Sequence, residues 1–311
     1  MALTPTALAS RLEGLLAFPV TPFTADGDLN LDAFRNQVDL LLGAGAIAVF
    51  PACGTGEFAA LSREEYGRLL DACVRHVDGR APVVAGVGYG TAPASALAQL
   101  ATRAGVDGLL VLPPYLSVGA ADGLEAHYRA VARSTPLGVI LYQRDQVVFE
   151  PESVARLAAE PNVIGVKDGI GQVERLLDIR RATGGNLLLL NGMPTAEIHA
   201  QALTFCGARG YSSAILNFLP EVAVPFYAAA REGDTATMHA LLDTAILPFA
   251  AIRRRRPGYA VTLVKAAARL RGLPVGRVRP PLSEIGAQDE RDLGALLAGL
   301  GFDGPLAAAH D

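Results

Sequence analysis

The sequence is poor in residue types that would mark several classes of protein. Tryptophan is absent, charged residues make up only 19% of the chain, and the formal net charge is −4. A chain without an excess of basic residues lacks the electrostatic field that attracts nucleic acid, so we expect no such partner. The 51% hydrophobic content over 311 residues instead indicates a compact domain with a large core.

Cysteine and the common metal and cofactor motifs are equally sparse. The three cysteines, at positions 53, 73 and 206, are an odd number without paired spacing, which excludes a disulfide framework and a zinc motif. The five histidines show no metal-ligand pairing, and the chain contains no Walker loop, HExxH or GxSxG motif. The sequence therefore predicts neither a metal nor a cofactor.

Long apolar runs are missing as well. The stretch 40–52 is interrupted by glycines and is too short to span a bilayer. The first residues lack the basic segment and the apolar run of a secretory signal. We expect a cytoplasmic protein that does not enter a membrane.

A run of four arginines, residues 253–256, is the local exception to the low charge. It could form a phosphate or nucleic-acid patch, or a clamp for a carboxylate. The alternative is a solvated helix end, where the helix dipole favours cations. One short run rarely makes a binding surface, which favours the helix end.

Short apolar segments bounded by glycine or proline recur along most of the chain. Segments of this length and composition are typical of buried parallel strands. Eight are present, at residues 14–18, 46–50, 82–86, 107–111, 138–142, 163–167, 187–191 and 208–212. Helical periodicity separates them, and Ser62 with Glu65 has the spacing of a capping box. Eight such repeats predict an α/β fold, a (β/α)8 TIM barrel.

The strand pattern stops after Ser213. Helical periodicity continues at residues 222–231, 235–252, 258–271 and 289–297. We expect the barrel to occupy residues 11–220. A C-terminal helical extension over residues 221–305 should pack on it as part of one structural unit.

Polar side chains stand at the predicted strand ends, where a (β/α)8 barrel carries its active site. Strand five ends at Tyr142, strand six at Lys167 and strand seven at Asn191, and Ser212 and Ser213 end strand eight. Lysine is costly to bury, and desolvation favours the neutral amine that attacks a ketone. Most strand-end lysines are nevertheless solvated. A tyrosine on the neighbouring strand could transfer protons or simply pack at the rim.

The loop after strand two, residues 51–58, reads Pro-Ala-Cys-Gly-Thr-Gly-Glu-Phe. Its glycines would let backbone N–H groups approach an anion closely, although an ordinary turn is the alternative. Cys53 has no visible histidine partner and is expected to be a small packed residue.

These segments resemble the superfamily of Schiff-base-forming aldolases that contains dihydrodipicolinate synthase and N-acetylneuraminate lyase. The similarity covers about residues 14–284. It depends on residues 17–23, the sequence Gly54-Thr55-Gly56-Glu57, Tyr142, and the segment 165–168 that contains Lys167. The resemblance implies a (β/α)8 barrel with C-terminal helices that assembles as a homo-oligomer, a tetramer or dimer.

The resemblance also implies roles for individual residues. Lys167 would form the imine with a 2-keto acid, Tyr142 would shuttle protons, and Gly54 and Thr55 would bind the carboxylate next to the ketone. Asn191, Ser212 and Ser213 could then bind substrate hydroxyls or a distal carboxylate.

Departures from the superfamily pattern narrow the expected activity. Gly54 replaces a threonine, and Leu116 an aromatic residue, that the lysine-biosynthesis branch uses. The segments 142–145, 167–171, 191–197 and 211–214 are instead similar to the 5-dehydro-4-deoxyglucarate dehydratases. The resemblance thus implies a decarboxylating dehydratase acting on a small sugar diacid. Two alternatives remain, a 2-keto acid aldolase or lyase of the same superfamily and a non-catalytic barrel that binds keto acids.

Overall fold

A computed structural model describes residues 2–117 and 119–306. The residues of its eight strands are mostly buried. No strand extends more than one residue beyond the segment expected for it. The strands, β1 to β8, are Leu15–Ala17, Ala48–Val49, Val84–Val87, Gly108–Val111, Gly138–Gln143, Val163–Asp168, Leu188–Asn191 and Ala208–Ser213.

The strands form a closed parallel barrel. Their order is β2-β1-β8-β7-β6-β5-β4-β3, and every neighbouring pair is parallel. A parallel bridge between Val49 and Val83 joins the two outer strands and closes the sheet on itself. These eight parallel strands, paired in sequence order and alternating with helices, confirm the predicted (β/α)8 barrel.

Helices cover the outside of the barrel and follow its last strand. The helices that precede or alternate with the strands, α1 to α8, are Pro5–Ser10, Leu31–Gly43, Arg63–Val77, Thr91–Ala104, Ala121–Arg133, Pro151–Leu157, Val173–Ala182 and Ala200–Phe205. Those after β8, α9 to α13, are Pro220–Glu232, Thr235–Leu241, Leu247–Arg253, Tyr259–Leu270 and Ala287–Gly299.

Local sequence signals explain several helix boundaries. The Ser62 side chain accepts from the backbone N–H of Glu65, whose carboxylate accepts from the backbone N–H of Ser62, and this capping box starts α3 as predicted. The short helix α1 was not expected. Its buried Leu8 packs over Gly108 at the start of β4, where any Cβ would overlap the leucine.

The C-terminal helices share a hydrophobic core with the barrel. Leu15 of β1 and Tyr211 of β8 belong to the same buried cluster as Phe226, Phe249 and Leu263 from the helices. The expected helix 235–252 is α10 and α11 joined by a π-helical turn, Leu242–Ile246. The stretch Thr235–Arg253 is long and apolar enough to cross a membrane by length and composition alone, but its apolar face contributes to this core.

Candidate active site

A cavity of about 270 Å³ opens at the carboxyl ends of the barrel strands. Residues of β5, β6 and β8 and of loops at the same end of the barrel line it, among them Thr55 after β2, Tyr142, Arg144, Lys167, Ser212 and Ser213. The volume suits a small metabolite, since drug-sized ligands occupy about 300–1,000 Å³. The position is the one at which (β/α)8 enzymes carry out their chemistry.

Lys167 and Tyr142 are register partners on adjacent strands. The parallel pairing of β5 with β6 sets Tyr142 directly beside Lys167. Both residues are almost fully buried, at 4% exposure for Tyr142 and 5% for Lys167, so Lys167 is not a solvated strand-end lysine. Its Nζ atom lies 4.1 Å from the centroid of the Tyr142 ring. Each strand runs one residue further than expected, to Gln143 and Asp168.

The backbone just after β7 accepts hydrogen bonds from both Tyr142 and Lys167. The carbonyl of Gly192 accepts a hydrogen bond from the Tyr142 hydroxyl at 3.3 Å and from Nζ of Lys167 at 3.5 Å. A Cβ atom at position 192 would lie 2.6 Å from that Nζ, so only glycine leaves room for the lysine. The amine is therefore held at the cavity by a neutral acceptor.

The electrostatic surroundings of Tyr142 favour its ionisation. Burial by itself raises the pKa of the phenol, but the Lys167 ammonium and the Arg144 guanidinium outweigh that effect and lower the pKa below its ordinary value. The guanidinium donates a hydrogen bond to the Tyr142 oxygen at 3.3 Å. A phenol tuned in this direction can give up and regain a proton more readily.

The glycine-rich loop lies at the cavity edge, as its sequence position indicated. Gly54 and Thr55 both line the cavity. The hydroxyl of Thr21, just past β1, donates to the carbonyl of Gly56 at 2.6 Å and fixes the loop from below. Cys53 is fully packed, and burial raises the pKa of its thiol to about 12 against a smaller opposing effect of Lys167. This thiol is inert as a nucleophile.

Ser212 and Ser213 also line the cavity, but their hydroxyls already have partners. Ser212 donates to the carbonyl of Asn191 at 2.7 Å. Ser213 donates to the buried carboxylate of Glu197 at 2.6 Å and accepts from the backbone N–H of Leu216. Each hydroxyl retains an acceptor site through which it could receive a hydrogen bond from a ligand.

The Asn191 side chain bonds within its own turn. Its side-chain amide donates to the carbonyl of Ala196 at 2.9 Å and its side-chain oxygen accepts from the backbone N–H of Met193 at 3.2 Å. Among the described residues it is not part of the cavity lining. The strand-end position was expected to bring Asn191 to the substrate, whereas its side chain closes the turn after β7.

Arg144 and Tyr115 line the cavity and were not among the expected site residues. Both belong to loops, where strand periodicity gives no orientation. The available signal was the placement of Arg144 two residues after Tyr142, since a cation that close to a strand end shares the same mouth.

The arginine run 253–256 divides into different environments. Arg255 forms ion pairs with Asp289, at 2.8 Å, and Asp292 on α13. Arg253, the last residue of α11, is half-buried, whereas Arg254 and Arg256 are exposed. The expectation of a solvated helix end therefore fits only part of the run.

A closed barrel with a buried lysine and tyrosine at its mouth defines an enzyme-like (β/α)8 protein with a small-molecule site. The model of the dihydrodipicolinate synthetase family matches residues 11–299, and the chain belongs to that family.

Curated relatives extend over nearly the whole chain. The chain is 50% identical over 299 residues to a Streptomyces coelicolor protein named "Probable 5-dehydro-4-deoxyglucarate dehydratase 1", covering 94% of this chain and 95% of that protein. It is 45% identical over 297 residues to a Bradyrhizobium diazoefficiens protein named "Probable 5-dehydro-4-deoxyglucarate dehydratase", covering 95% of each.

Solved structures show the same fold. Dihydrodipicolinate synthase from Oceanobacillus iheyensis superposes with a TM-score of 0.87 at 26% identity, covering 94% of this chain and 98% of that one. A prophage protein of E. coli K12 from the dihydrodipicolinic acid synthase family, solved in complex with pyruvate, gives a TM-score of 0.82 at 31% identity, with coverage of 93% and 99%.

Proposed function

We propose that this protein is a decarboxylating dehydratase that converts 5-dehydro-4-deoxy-D-glucarate to 2,5-dioxopentanoate, water and CO2 through an imine on Lys167. The observation that carries the proposal is the pairing of Lys167 with Tyr142 at the barrel mouth. The identity of 50% to a protein named for this activity supports the choice of substrate.

The first step is imine formation. The neutral amine of Lys167 attacks the C5 ketone, and loss of water from the carbinolamine leaves a protonated imine. The Gly192 carbonyl accepts from Nζ and holds the amine at the cavity, where it can reach the ketone of a bound substrate.

The iminium then serves as the electron sink for two successive bond cleavages. It acidifies the C4–H bond, and after that proton leaves, the C3 hydroxyl is eliminated as water to give a conjugated unsaturated imine. The C1–C2 bond breaks next and releases CO2. The electron pair of that bond moves into the conjugated system. The resulting enol takes up a proton and tautomerises to the C2 aldehyde, and hydrolysis releases Lys167.

Tyr142 is placed to carry the protons of these steps. Its hydroxyl lies beside the amine and has a lowered pKa, so it can act as a base toward the attacking amine and as an acid toward a departing hydroxyl. The Arg144 hydrogen bond stabilises the phenolate form between the two events.

Gly54 and Thr55 would bind the carboxylate adjacent to the ketone. Both line the cavity, and an exposed glycine there leaves the backbone open to a close approach by an anion. Ser212 and Ser213 would contact the hydroxyl-bearing middle of the substrate from β8. We further propose that the protein acts in the cytoplasm as a homo-oligomer.

The decisive experiment is borohydride reduction in the presence of 5-dehydro-4-deoxyglucarate, followed by mass spectrometry of the peptide containing Lys167. The expected result is a covalent adduct at Lys167, together with CO2 and 2,5-dioxopentanoate in unreduced reactions. Pyruvate as product would identify an aldolase instead. An adduct without any turnover would identify a keto-acid-binding barrel, and trapping at another lysine would overturn the imine assignment.

A further inference from the structure

Two cationic side chains line the cavity within residues 2–117 and 119–306, and only one of them contacts the substrate in the chemistry above. Lys167 forms the imine, whereas Arg144 stands at the loop that follows β5. A keto diacid carries two carboxylates. The glycine-rich loop accounts for the one beside the ketone, which leaves the second without a partner.

The backbone of Arg144 is held rigidly. Arg144 and Val147 exchange two backbone hydrogen bonds of 3.0 Å in an isolated antiparallel bridge. The preceding residue, Gln143, is clamped by its side chain, which donates to Asp168 at 2.6 Å and accepts from the N–H of Phe149 at 3.0 Å. A side chain that starts from such a fixed base can be aimed at a ligand with little loss of entropy.

The guanidinium has donors to spare. Of its five N–H groups, one from Nη1 reaches the Tyr142 oxygen at 3.3 Å, and Nε lies 3.4 Å from the Asp145 carboxylate. No acceptor in the described part of the chain hydrogen-bonds Nη2. The Asp145 side chain is 63% exposed, so this ion pair is weak and a ligand carboxylate can replace it.

A second arginine, Arg253, lies within electrostatic range of Arg144. Nη1 of Arg253 is buried and has no hydrogen-bond partner among the described residues. Burial lowers the pKa of Arg253, and the charges of Arg254 and Arg144 lower it further, against the opposing effect of Glu197. An anion bound next to Arg144 would relieve part of this repulsion.

Arg144 and Lys167 lie next to the same aromatic side chain. Arg144 and Lys167 contact the same phenol, one at its oxygen, at 3.3 Å, and the other over its ring, at 4.1 Å from the centroid. In 5-dehydro-4-deoxyglucarate the imine carbon and the distal carboxylate carbon are four bonds apart, a reach of roughly 5 Å. Both cations flank Tyr142 in the same cavity, so a ligand held at Lys167 extends its distal end within the space that Arg144 also lines.

We propose that Arg144 binds the distal carboxylate of the substrate, supported by the charge of Arg253, and thereby selects keto diacids over keto monoacids. This inference rests on the proposed function, because it assigns the ketone to Lys167. The carboxylate that Arg144 binds is the one released as CO2. Binding it strengthens the substrate complex more than the transition state of decarboxylation, so loss of the carboxylate contact should raise KM, whereas loss of the hydrogen bond to Tyr142 should lower kcat.

The test uses unreactive analogues that lack the hydroxyls. 2-Oxoadipate has the chain length and both carboxylates of the substrate, and 2-oxohexanoate differs from it by a methyl group in place of the distal carboxylate. Pyruvate has no distal group at all. The concentration of each that gives half-maximal borohydride trapping at Lys167 is measured for the native protein and for Arg144→Gln, Arg144→Lys, Arg253→Gln and Arg181→Gln. Arg181 is an exposed control on α7.

The native protein is expected to prefer 2-oxoadipate over 2-oxohexanoate by about 10²-fold, the strength of a charge-assisted bidentate contact. Arg144→Gln should reduce the preference to a few-fold, Arg144→Lys and Arg253→Gln should retain part of it, and Arg181→Gln should retain all of it. Trapping of 2-oxohexanoate and pyruvate should be unchanged in Arg253→Gln and Arg181→Gln. Any loss that the Arg144 variants cause through Tyr142 should be equal for these two analogues and much smaller than the loss for 2-oxoadipate, and trapping in every variant shows that the proteins are folded.

Two results would overturn the inference. One is an unchanged preference in Arg144→Gln. The other is a parallel loss for all three analogues, which would mean that Arg144 acts on Lys167 through Tyr142 and not on a carboxylate. A protein that shows the expected preference but produces no CO2 from 5-dehydro-4-deoxyglucarate would contradict the proposed function and leave this carboxylate site intact.

Discussion

The Nζ atom of Lys265 lies 2.6 Å from Oε1 of Glu57, and neither side chain is exposed to solvent. Glu57 ends the glycine-rich loop at the cavity, with a left-handed backbone at φ 54°. Lys265 belongs to α12 and also donates to the carbonyl of Arg277 at 2.9 Å. The buried pair therefore ties a loop of the candidate active site to the helices that follow the barrel.

Breaking this pair should destabilise the fold. Glu57→Gln and Lys265→Met each remove one partner, and Glu57→Gln strands a buried charge, at a cost of about 3–5 kcal/mol. Urea unfolding of both single variants and the double variant measures the effect. The double variant should be less destabilised than the sum of the singles. Strictly additive losses would show that the two side chains do not act as a pair.

Lys167→Met should abolish turnover and borohydride trapping without lowering stability. No carboxylate in the described ranges lies within ion-pair distance of Lys167, so an apolar replacement removes a buried amine that has only carbonyl and aromatic partners. We expect the midpoint of thermal unfolding to stay the same or rise by up to about 4 °C. A marked drop in the midpoint would instead assign Lys167 a structural role.

Tyr142→Phe should allow the imine to form while turnover falls by roughly 10²-fold or more, since the ring remains but the proton carrier is lost. Trapping at Lys167 and the release of CO2 are measured in parallel. Tyr66→Phe is the matched control, because Tyr66 is a buried phenol that donates to the carbonyl of Gly86 away from the cavity lining. Near-native turnover of Tyr142→Phe would remove it from the proton-transfer role.

Asn191→Ala should weaken the fold and leave the apparent affinity for 2-oxoadipate within a few-fold of native. Its side chain makes two backbone hydrogen bonds within the turn after β7, and losing them costs about 1–3 kcal/mol. Chemical unfolding and borohydride trapping separate the two effects. A large loss of affinity at unchanged stability would return Asn191 to the substrate site.

Stability should fall at acid pH through the ion pair of Glu65 with Arg279. The hydrogen bond from Arg279, opposed by partial burial, lowers the pKa of Glu65 from 4.5 to about 2. The pair therefore contributes its full stabilisation above about pH 4.5 and loses it as the pH falls toward 2. Glu65→Gln should flatten this part of the stability profile, and Glu64→Gln, at an exposed neighbour, should not. Identical profiles for the native protein and Glu65→Gln would exclude the contribution.

The sequence was most informative where a short local pattern has one structural solution. The apolar segments bounded by glycine and proline predicted all eight strands, because buried parallel strands leave little choice of residue. The capping box at Ser62 likewise predicted the start of α3. Helix α1 was missed, since its six residues are too few for a periodic signal and it forms over the buried Leu8.

Side-chain roles were predicted less well than strand positions. Strand-end position brought Lys167, Tyr142, Ser212 and Ser213 to the cavity lining. The same rule did not bring Asn191 to the cavity lining, because its side chain forms hydrogen bonds within its own turn. A strand assignment fixes where a residue lies. It does not determine whether a polar side chain bonds to the nearby backbone or to a ligand.

The sequence by itself thus determined the barrel, the order of its strands along the chain, and the presence of a lysine and a tyrosine on neighbouring strands. Only the tertiary structure decided that Arg144 faces the same cavity and that Lys265 holds the glycine-rich loop through Glu57. Periodicity reports contacts between residues close in sequence. A loop side chain and a helix more than two hundred residues away meet only when the packed core brings them together, and no local pattern encodes that meeting.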